Sequence, residues 1–324
     1  MRKIKIGIVG ATGLVGRTML KLLDEYQIEY DELRLFASLK SSGKVLHYKN
    51  SDYIIHEIDD DGLKGLDYVL FATPEEVSKL YVPYALKEKA IVIDNSSAFR
   101  KKNEIPLIIP EINIEKAYNQ RLISNPNCST IQCCVALNPL KKYGIKSIIY
   151  NTYQSVSGAG HKGINDLARC RKGLMPLYFK LDIACTCIPL IGSLLENDFS
   201  TEEEKMVFET KKILDLSENV NIVSTCVRVP IMFGHGVSVM VSFEKEFSIE
   251  QIKQDLKNAP GIVLCENALP SSVLATLNDY VYVGRIRKNV ETNSLLFYCV
   301  ADNIRKGAAS NAVETLKMLL EREC

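Results

Sequence analysis

The chain has 324 residues, 47% of them hydrophobic, and its 40 Lys plus Arg against 39 Asp plus Glu give a formal net charge of +1. That length predicts two domains of roughly 150 residues with substantial cores. The balanced charge excludes the global basic field of a nucleic-acid-binding protein, so an anionic ligand has to be held by local arginines and lysines.

No apolar run is long enough for a signal h-region or a bilayer span, so the expectation is a soluble, cytoplasmic protein with neither membrane nor nucleic-acid partners. Its ten cysteines then read as reduced thiols rather than a disulfide framework. They lack paired CxxC spacing, and with four histidines in the chain no structural metal is expected.

Residues 3–9 read as a short strand that runs into Gly10-Ala11-Thr12-Gly13-Leu14-Val15-Gly16 and a helix-compatible stretch at 17–23. Strand, glycine turn and helix is the dinucleotide-binding arrangement: the backbone turns tightly and approaches a pyrophosphate whose charge meets the helix N-terminus. The spacing is GxxGxxG rather than GxGxxG, and its place after the first strand is what carries the reading. A second strand at 33–37 leads into Ser38-Leu39-Lys40-Ser41-Ser42-Gly43-Lys44, with no acid for a ribose 2′-hydroxyl. Hydroxyls and a cation suit a 2′-phosphate. The expected cofactor is therefore NADP, with Ser38, Lys40 and Ser41 nearest that phosphate; Lys44 reads almost as well as part of a solvated loop.

Further strands at 53–58, 68–72, 91–94 and 107–109, alternating with helices or turns, predict a mostly parallel, doubly wound sheet of Rossmann type. Ligands gather beyond the carboxyl ends of such strands, where Ala72-Thr73-Pro74 and Asp94-Asn95-Ser96-Ser97-Ala98-Phe99-Arg100 fall. Arg100 there is either an anion ligand or a surface arginine beside Lys101 and Lys102, and the pattern alone does not separate the two.

Ser124-Asn125-Pro126-Asn127-Cys128-Ser129-Thr130 places a cysteine where a polar turn feeds an apolar, helix-compatible run at 131–137. The positive end of a helix dipole and its unpaired N–H groups favour thiolate, which makes Cys128 the candidate nucleophile. The competing reading is that it is one more small buried apolar residue among ten cysteines. A strand at 146–154 then enters Ser155-Val156-Ser157-Gly158-Ala159-Gly160, a turn small enough for a ligand to approach closely.

A helix at 162–170, an irregular arm at 171–199 and a charged, solvent-facing helix at 201–216, capped by Ser200 or Thr201, follow. Strands at 221–229, 237–247, 280–287 and 295–301, with a helix at 249–257, predict an α+β domain on one large mixed sheet. The closing helix, about 306–321, can return to the first domain. The expected division is 1–128 with 304–324 for NADP, and 129–303 for catalysis and dimerisation.

These pieces together carry a resemblance that covers essentially the whole chain. The glycine turn at 10–16, Asn95-Ser96-Ser97-Ala98-Phe99-Arg100, Ser124-Asn125-Pro126-Asn127-Cys128, Tyr153-Gln154-Ser155-Val156-Ser157-Gly158-Ala159-Gly160, Arg228-Val229-Pro230 with Gly234-His235, and Ala301-Asp302-Asn303 stand in the order and spacing of the aspartate-β-semialdehyde dehydrogenase family, which the sequence resembles. The resemblance implies NADPH-dependent, reversible reductive dephosphorylation of aspartyl phosphate to aspartate semialdehyde with release of phosphate, on the pathway to lysine (through diaminopimelate), methionine and threonine. It also implies a homodimer or homotetramer.

Site residues follow from the same resemblance. Cys128 is the nucleophile that carries the acyl group, Gln154 its orienting neighbour, and His235 a general acid/base whose unperturbed pKa lies near working pH. Arg228 clamps the substrate α-carboxylate with its planar fork. Glu209 and Lys212 meet the substrate amino group and phosphate, unless they are only a solvated helix face, and Arg100 and Asn127 complete the phosphate site. Gly10, Thr12, Gly13, Leu14, Val15, Thr73, Ser97, Ser157, Gly158 and Asn303 join Ser38, Lys40 and Ser41 around the dinucleotide.

The chain departs from the family twice: Lys40 stands where arginine is common, and Gly236-Val237-Ser238 follows His235 where a polar and acidic pair is common. Sibling reductases of N-acetyl-glutamyl phosphate or of acyl-CoA thioesters such as malonyl-CoA share the glycine turn and Cys–His pair but have no need of an amine-binding acid at Glu209. A non-catalytic NADP-binding regulator would need a broken site, and Cys128, Gln154, Arg228 and His235 are all present.

Overall fold

The computed structural model describes residues 4–49 and 51–323, which form two compact units divided at Pro126 and again at Gly307. The first divide falls before Asn127 rather than after Cys128, because Asn127 begins a helix of the second unit and is held there by Glu202 and Glu209. The return falls at Ala308 rather than at 304, since Asp302 ties Ile304, Arg305 and Gly307 to the second unit.

In the first unit β1 (Lys5–Val9) leads to α1 (Leu14–Glu25), β2 (Glu32–Ala37), β3 (Val45–Tyr48), β4 (Ser51–Glu57), β5 (Tyr68–Phe71), α2 (Glu75–Lys87), β6 (Ile91–Asp94), α3 (Pro110–Asn113) and β7 (Leu122–Ser124). Among the described residues these strands form one sheet in the order β3-β4-β2-β1-β5-β6-β7, parallel throughout except for the antiparallel β3–β4 pair. Ile6, Ile8, Leu35 and Leu70 pack on Met19, Leu22 and Leu23 of α1, while Val9, Phe36, Phe71 and Val92 pack with Val82 and Ala85 of α2. Burial on both faces is why these strands read as unbroken apolar runs. The chain leaves β1 toward β2 and later restarts on its other side at β5, so the glycine turn after β1 lies at the switch point of the sheet. The expected strand at 107–109 is only a single bridge from Leu107 to Ser124, because Pro110, with its fixed φ and no N–H, opens α3 instead.

The second unit runs α4 (Cys128–Leu137), β8 (Ile145–Gln154), α5 (Gly160–Cys170), an irregular arm, α6 (Thr201–Leu214), β9 (Asn221–Arg228), β10 (His235–Phe243), α7 (Ile249–Asn258), β11 (Ile262–Cys265), α8 (Ser272–Ala275), β12 (Val281–Asn289) and β13 (Ser294–Ala301). Its mixed sheet has the order β11-β12-β13-β10-β8-β9. Along β8, Ile148, Tyr150, Thr152 and Gln154 turn to the buried face and Ile149, Asn151 and Tyr153 away from it. Helices α4 and α6 cover the buried face, where the Tyr150 and Thr210 hydroxyls lie 3.2 Å apart.

α6 is not the solvent-facing helix the charge pattern suggests, since Glu202, Met206, Glu209, Thr210, Ile213 and Leu214 are buried. A π-helical turn, Arg305–Ala309, leads to α9 (Ser310–Glu323), whose Ala312, Val313, Leu316 and Leu319 join the core of the first unit. Among the described residues no helix is long and apolar enough to cross a membrane.

Candidate active site

Two units supply two kinds of chemistry. In the first, a Cβ on Gly16 would stand 2.2 Å from the Gly10 carbonyl oxygen, so glycine there lets α1 start hard against the end of β1. Gly13 caps α1 without a side chain, and the first turn of the helix holds no acid. Its leading N–H groups therefore suit a pyrophosphate, with Thr12, Leu14 and Val15 half-buried around them. Beyond β2, Ser38 and Lys40 are exposed and Ser41 is half-buried in a short 3₁₀ turn.

Beyond β5 and β6, Thr73 Oγ1 lies 3.0 Å from Ser78 Oγ, and Ser97 donates to Glu75 at 2.5 Å. Asp94 anchors this end, accepting from Ser78 Oγ at 2.8 Å and Ser96 Oγ at 2.6 Å, while burial pushes its carboxyl pKa upward. Arg100 is buried, not a surface arginine, and its Nη2 donates to the Asn95 carbonyl at 2.7 Å.

The second unit gathers the reactive groups by register. Gln154 and Arg228 end the parallel strands β8 and β9 as direct partners, and His235 begins the antiparallel β10 beside them. Cys128 opens α4 and is half-buried. Asn127 caps this helix: its Oδ1 accepts from Ser129 N at 2.9 Å and Thr130 N at 3.4 Å. Its own N–H donates to Glu209 at 2.6 Å, and its Nδ2 to Glu202 at 2.8 Å. Glu202 also accepts from Gln154 Nε2 at 3.1 Å.

Ser155 holds the other two groups. Its N–H donates to His235 Nδ1 at 3.0 Å, and its carbonyl accepts from Arg228 Nη1 at 2.7 Å. Asn303 steadies the same turn, its Oδ1 accepting from Ser155 Oγ, Ser157 Oγ and Gly234 N. His235 is fully buried, and its Nε2 has no partner among the described residues. Burial, reinforced by Arg228, pushes its pKa down to about 3. Burial also lowers the Arg228 pKa, against the opposing charges of Glu202 and Cys128. A Cβ on Gly158 would meet Arg228 Nη1 at 2.7 Å and His235 Nε2 at 3.1 Å, so glycine keeps open the space that both groups face.

Several sequence expectations change here. His235 does not titrate near neutrality, because desolvation penalises its cation. Glu209 is fully buried rather than part of a solvated face, and Lys212 is half-buried in the last turn of α6. Ser157 and Asn303 also hydrogen-bond within the turn that holds His235, Asn303 Oδ1 accepting from Ser155 Oγ and Ser157 Oγ. Sequence reasoning passed over Glu202 and Gly307. A signal for Glu202 exists: Met206 and Ile213 mark the inward stripe of α6, and Glu202 and Glu209 share its helical spacing. Gly307 carried none, although a Cβ there would stand 2.8 Å from Cys128 Cβ.

Residues 5–120 match the NAD binding domain of the semialdehyde dehydrogenase family, and residues 137–306 match its dimerisation domain. The first unit is accordingly a nicotinamide dinucleotide-binding domain. Aspartate-semialdehyde dehydrogenase of Aquifex aeolicus is 44% identical over 334 residues, with 98% of each chain covered. Aspartate semialdehyde dehydrogenase II from Vibrio cholerae, solved alone and complexed with ASA, superposes with a TM-score of 0.92 at 38% identity over 99% of both chains. The chain belongs to the aspartate-semialdehyde dehydrogenase family.

Proposed function

We propose that the chain converts aspartyl phosphate to aspartate semialdehyde with NADPH, reversibly and with release of phosphate, through a thioester on Cys128. The observation that carries this reading is that the unit bearing Cys128 turns a buried arginine fork and a partnerless imidazole Nε2 into the one space over Gly158. An anionic carboxylate and a developing oxyanion are what those two groups bind.

The Cys128 thiolate attacks the acyl carbon; the C–S bond forms, the C–O bond to phosphate breaks, and phosphate leaves with that electron pair. Bound NADPH supplies the hydride that reduces the thioester. The oxyanion left on the Cys128 adduct then collapses to aldehyde and expels the thiolate, so the reductive half requires no proton; the one proton that the overall reaction consumes is taken up from solvent by the departing phosphate. A neutral N–H donor at that oxygen is sufficient, and His235 fits it. The Ser155 N–H donates to Nδ1, which assigns the ring proton to Nε2. A fixed donor in a water-poor site stabilises the oxyanion without reorganising.

Arg228 is the clamp for the α-carboxylate. Glu209 provides the negative charge that an α-ammonium needs, which neither N-acetyl-glutamyl phosphate nor an acyl-CoA would use. Arg100, Lys212 and Asn127 serve the phosphate. The Ser38–Ser41 loop, with hydroxyls, Lys40 and no acid, favours NADP over NAD. The reaction belongs in the cytoplasm, where exposed thiols such as Cys185 and Cys187 stay reduced. A homodimer joined through the uncovered face of the second unit's sheet is the expected assembly.

The experiment is phosphate-dependent NADP reduction by purified protein with aspartate semialdehyde, run beside N-acetylglutamate semialdehyde. Turnover of the first alone is expected; turnover of the second alone would overturn the reading. Cys128→Ala should abolish turnover while NADP still binds, and retained turnover would remove Cys128 from its role.

A further inference from the structure

We infer that Asp166 is a positioning residue for this reaction: by holding the irregular arm against α5, it fixes the backbone of Arg228 at the end of β9. Asp166 is only 1% exposed and shares the buried stripe of α5 with Gly163, Leu167 and Cys170. An acid in an apolar stripe needs partners. Three successive N–H groups of the arm supply them: Oδ1 accepts from Leu177 N at 2.8 Å, and Oδ2 from Tyr178 N at 2.7 Å and Phe179 N at 2.8 Å. Successive N–H groups form a concavity that suits an anion. Burial pushes the Asp166 carboxyl upward, and these N–H groups outweigh it, leaving its pKa below the usual value.

The grip carries along the arm to β9. Phe179, whose N–H Asp166 holds, packs on a cluster of Val156, Leu167, Cys170 and Ile183 that Ile188 also joins. Ile188 then pairs with Arg228: its N–H donates to the Arg228 carbonyl at 2.9 Å, and its carbonyl accepts from Arg228 N at 2.8 Å. Among the described residues β9 is the edge strand of its sheet, with β8 as its neighbour. Without Ile188 those two backbone groups would face an open edge, at the very end of the strand, where local opening costs least.

Both ends of Arg228 are thus referred to one helix. α5 sits hard on the turn before it, since a Cβ on Gly163 would stand 2.2 Å from the Val156 carbonyl oxygen. The Ser155 carbonyl of that turn accepts from Arg228 Nη1 at 2.7 Å, while Asp166 holds the arm that pairs with its backbone. In the clamp reading of Arg228, on which this clause rests, the two together set where the fork meets the substrate α-carboxylate. The hold on the Arg228 backbone does not depend on that reading.

The test uses the purified full chain and two readouts. Asp166→Asn keeps the size but turns an NH2 toward N–H donors, and Asp166→Ala leaves those donors to water. Hydrogen exchange read by mass spectrometry follows the Ile188 and Arg228 amides, which donate across the bridge. In either variant both should exchange about tenfold faster or more, while the amides inside β8 and β10 keep wild-type protection. KM for aspartate semialdehyde should rise about tenfold, with KM for phosphate and the dissociation constant of NADP within about twofold of wild type.

Unchanged exchange at Ile188 and Arg228 overturns the inference, and so does an equal loss of protection across β8 and β10, which would make Asp166 a general stabiliser. A KM for aspartate semialdehyde that stays put, or that moves together with the one for phosphate, overturns it as well. If Asp166→Asn does not fold, Asp166→Ala decides on the same thresholds. Arg228→Ala is the control for the functional reading and must itself raise KM for aspartate semialdehyde. If it does not, or if wild type does not turn this substrate over, that reading fails and the exchange readout alone decides this one.

Discussion

Desolvation of His235 makes its protonation a stability question as well as a catalytic one. The folded ring titrates at about 3 and the unfolded ring near 6.5. Between those values the unfolded chain binds the extra proton, so stability is complete above about pH 6.5 and falls as pH drops toward 3. The loss from this one ring amounts to about 2 kcal/mol between pH 6.5 and 5. His235→Gln keeps an N–H donor but does not titrate. Its Tm should therefore decline less steeply than that of wild type across this acid range, and parallel Tm profiles would refute the buried neutral ring. The same neutrality predicts that kcat shows no acid limb near pH 6.5 belonging to His235. Wild type and the Gln variant should share the limb they have, whatever their absolute rates.

Two short elements, the start of α4 and the π-helical turn Arg305–Ala309, are fitted to each other through Cys128 and Gly307. Asp302 shapes the turn: its Oδ1 accepts from Ile304 N and Arg305 N, and its carbonyl accepts from Gly307 N at 2.9 Å. A Cβ on Gly307 would lie 2.8 Å from Cys128 Cβ and 3.2 Å from its Cα, so backbone and not a flexible tip has to give. Gly307→Ala should lower kcat by about tenfold or more through displacement of the nucleophile, with a destabilisation of about 1–3 kcal/mol from overpacking. Unchanged kcat would mean that this contact does not position Cys128.

The Ala301-Asp302-Asn303 motif is visible in the sequence, but the contact it sets up is not, because it depends on where the turn meets a residue far away in the chain. The same limit divides the fold. The doubly wound first sheet is legible because its central strands, even the four-residue β5 and β6, are apolar runs bounded by turns, and β8, β9, β10, β12 and β13 are legible because their apolar periods are long. β3, β7 and β11 have three or four residues each and leave no period to read. α6 reads as solvated because a run of charges looks the same whether or not Asn127 and Gln154 later bury two of its acids.

At the scale of the whole molecule, the uncovered face of the second sheet carries an apolar row. Val223, Ile149, Met240 and Leu296 are register partners across β9, β8, β10 and β13, on the side away from α4 and α6. Ile149 and Val223 are 39% and 37% exposed, so in a single chain this row meets water. A sheet face that meets water ordinarily turns polar residues outward. A second copy of the same face would bury the row, and an isologous pair brings each residue near its own counterpart.

Ile149→Glu therefore places carboxylates from both copies in one desolvated patch. An unpaired buried charge costs about 3–5 kcal/mol, enough to weaken association by about 100-fold or more. The substitution lies on the exposed side of β8, so each chain should keep its circular dichroism spectrum and thermal transition. Sedimentation velocity should show wild type as a dimer at micromolar concentration and the variant as a monomer. A monomeric wild type, or a variant that sediments with it as a dimer, places the contact between copies elsewhere.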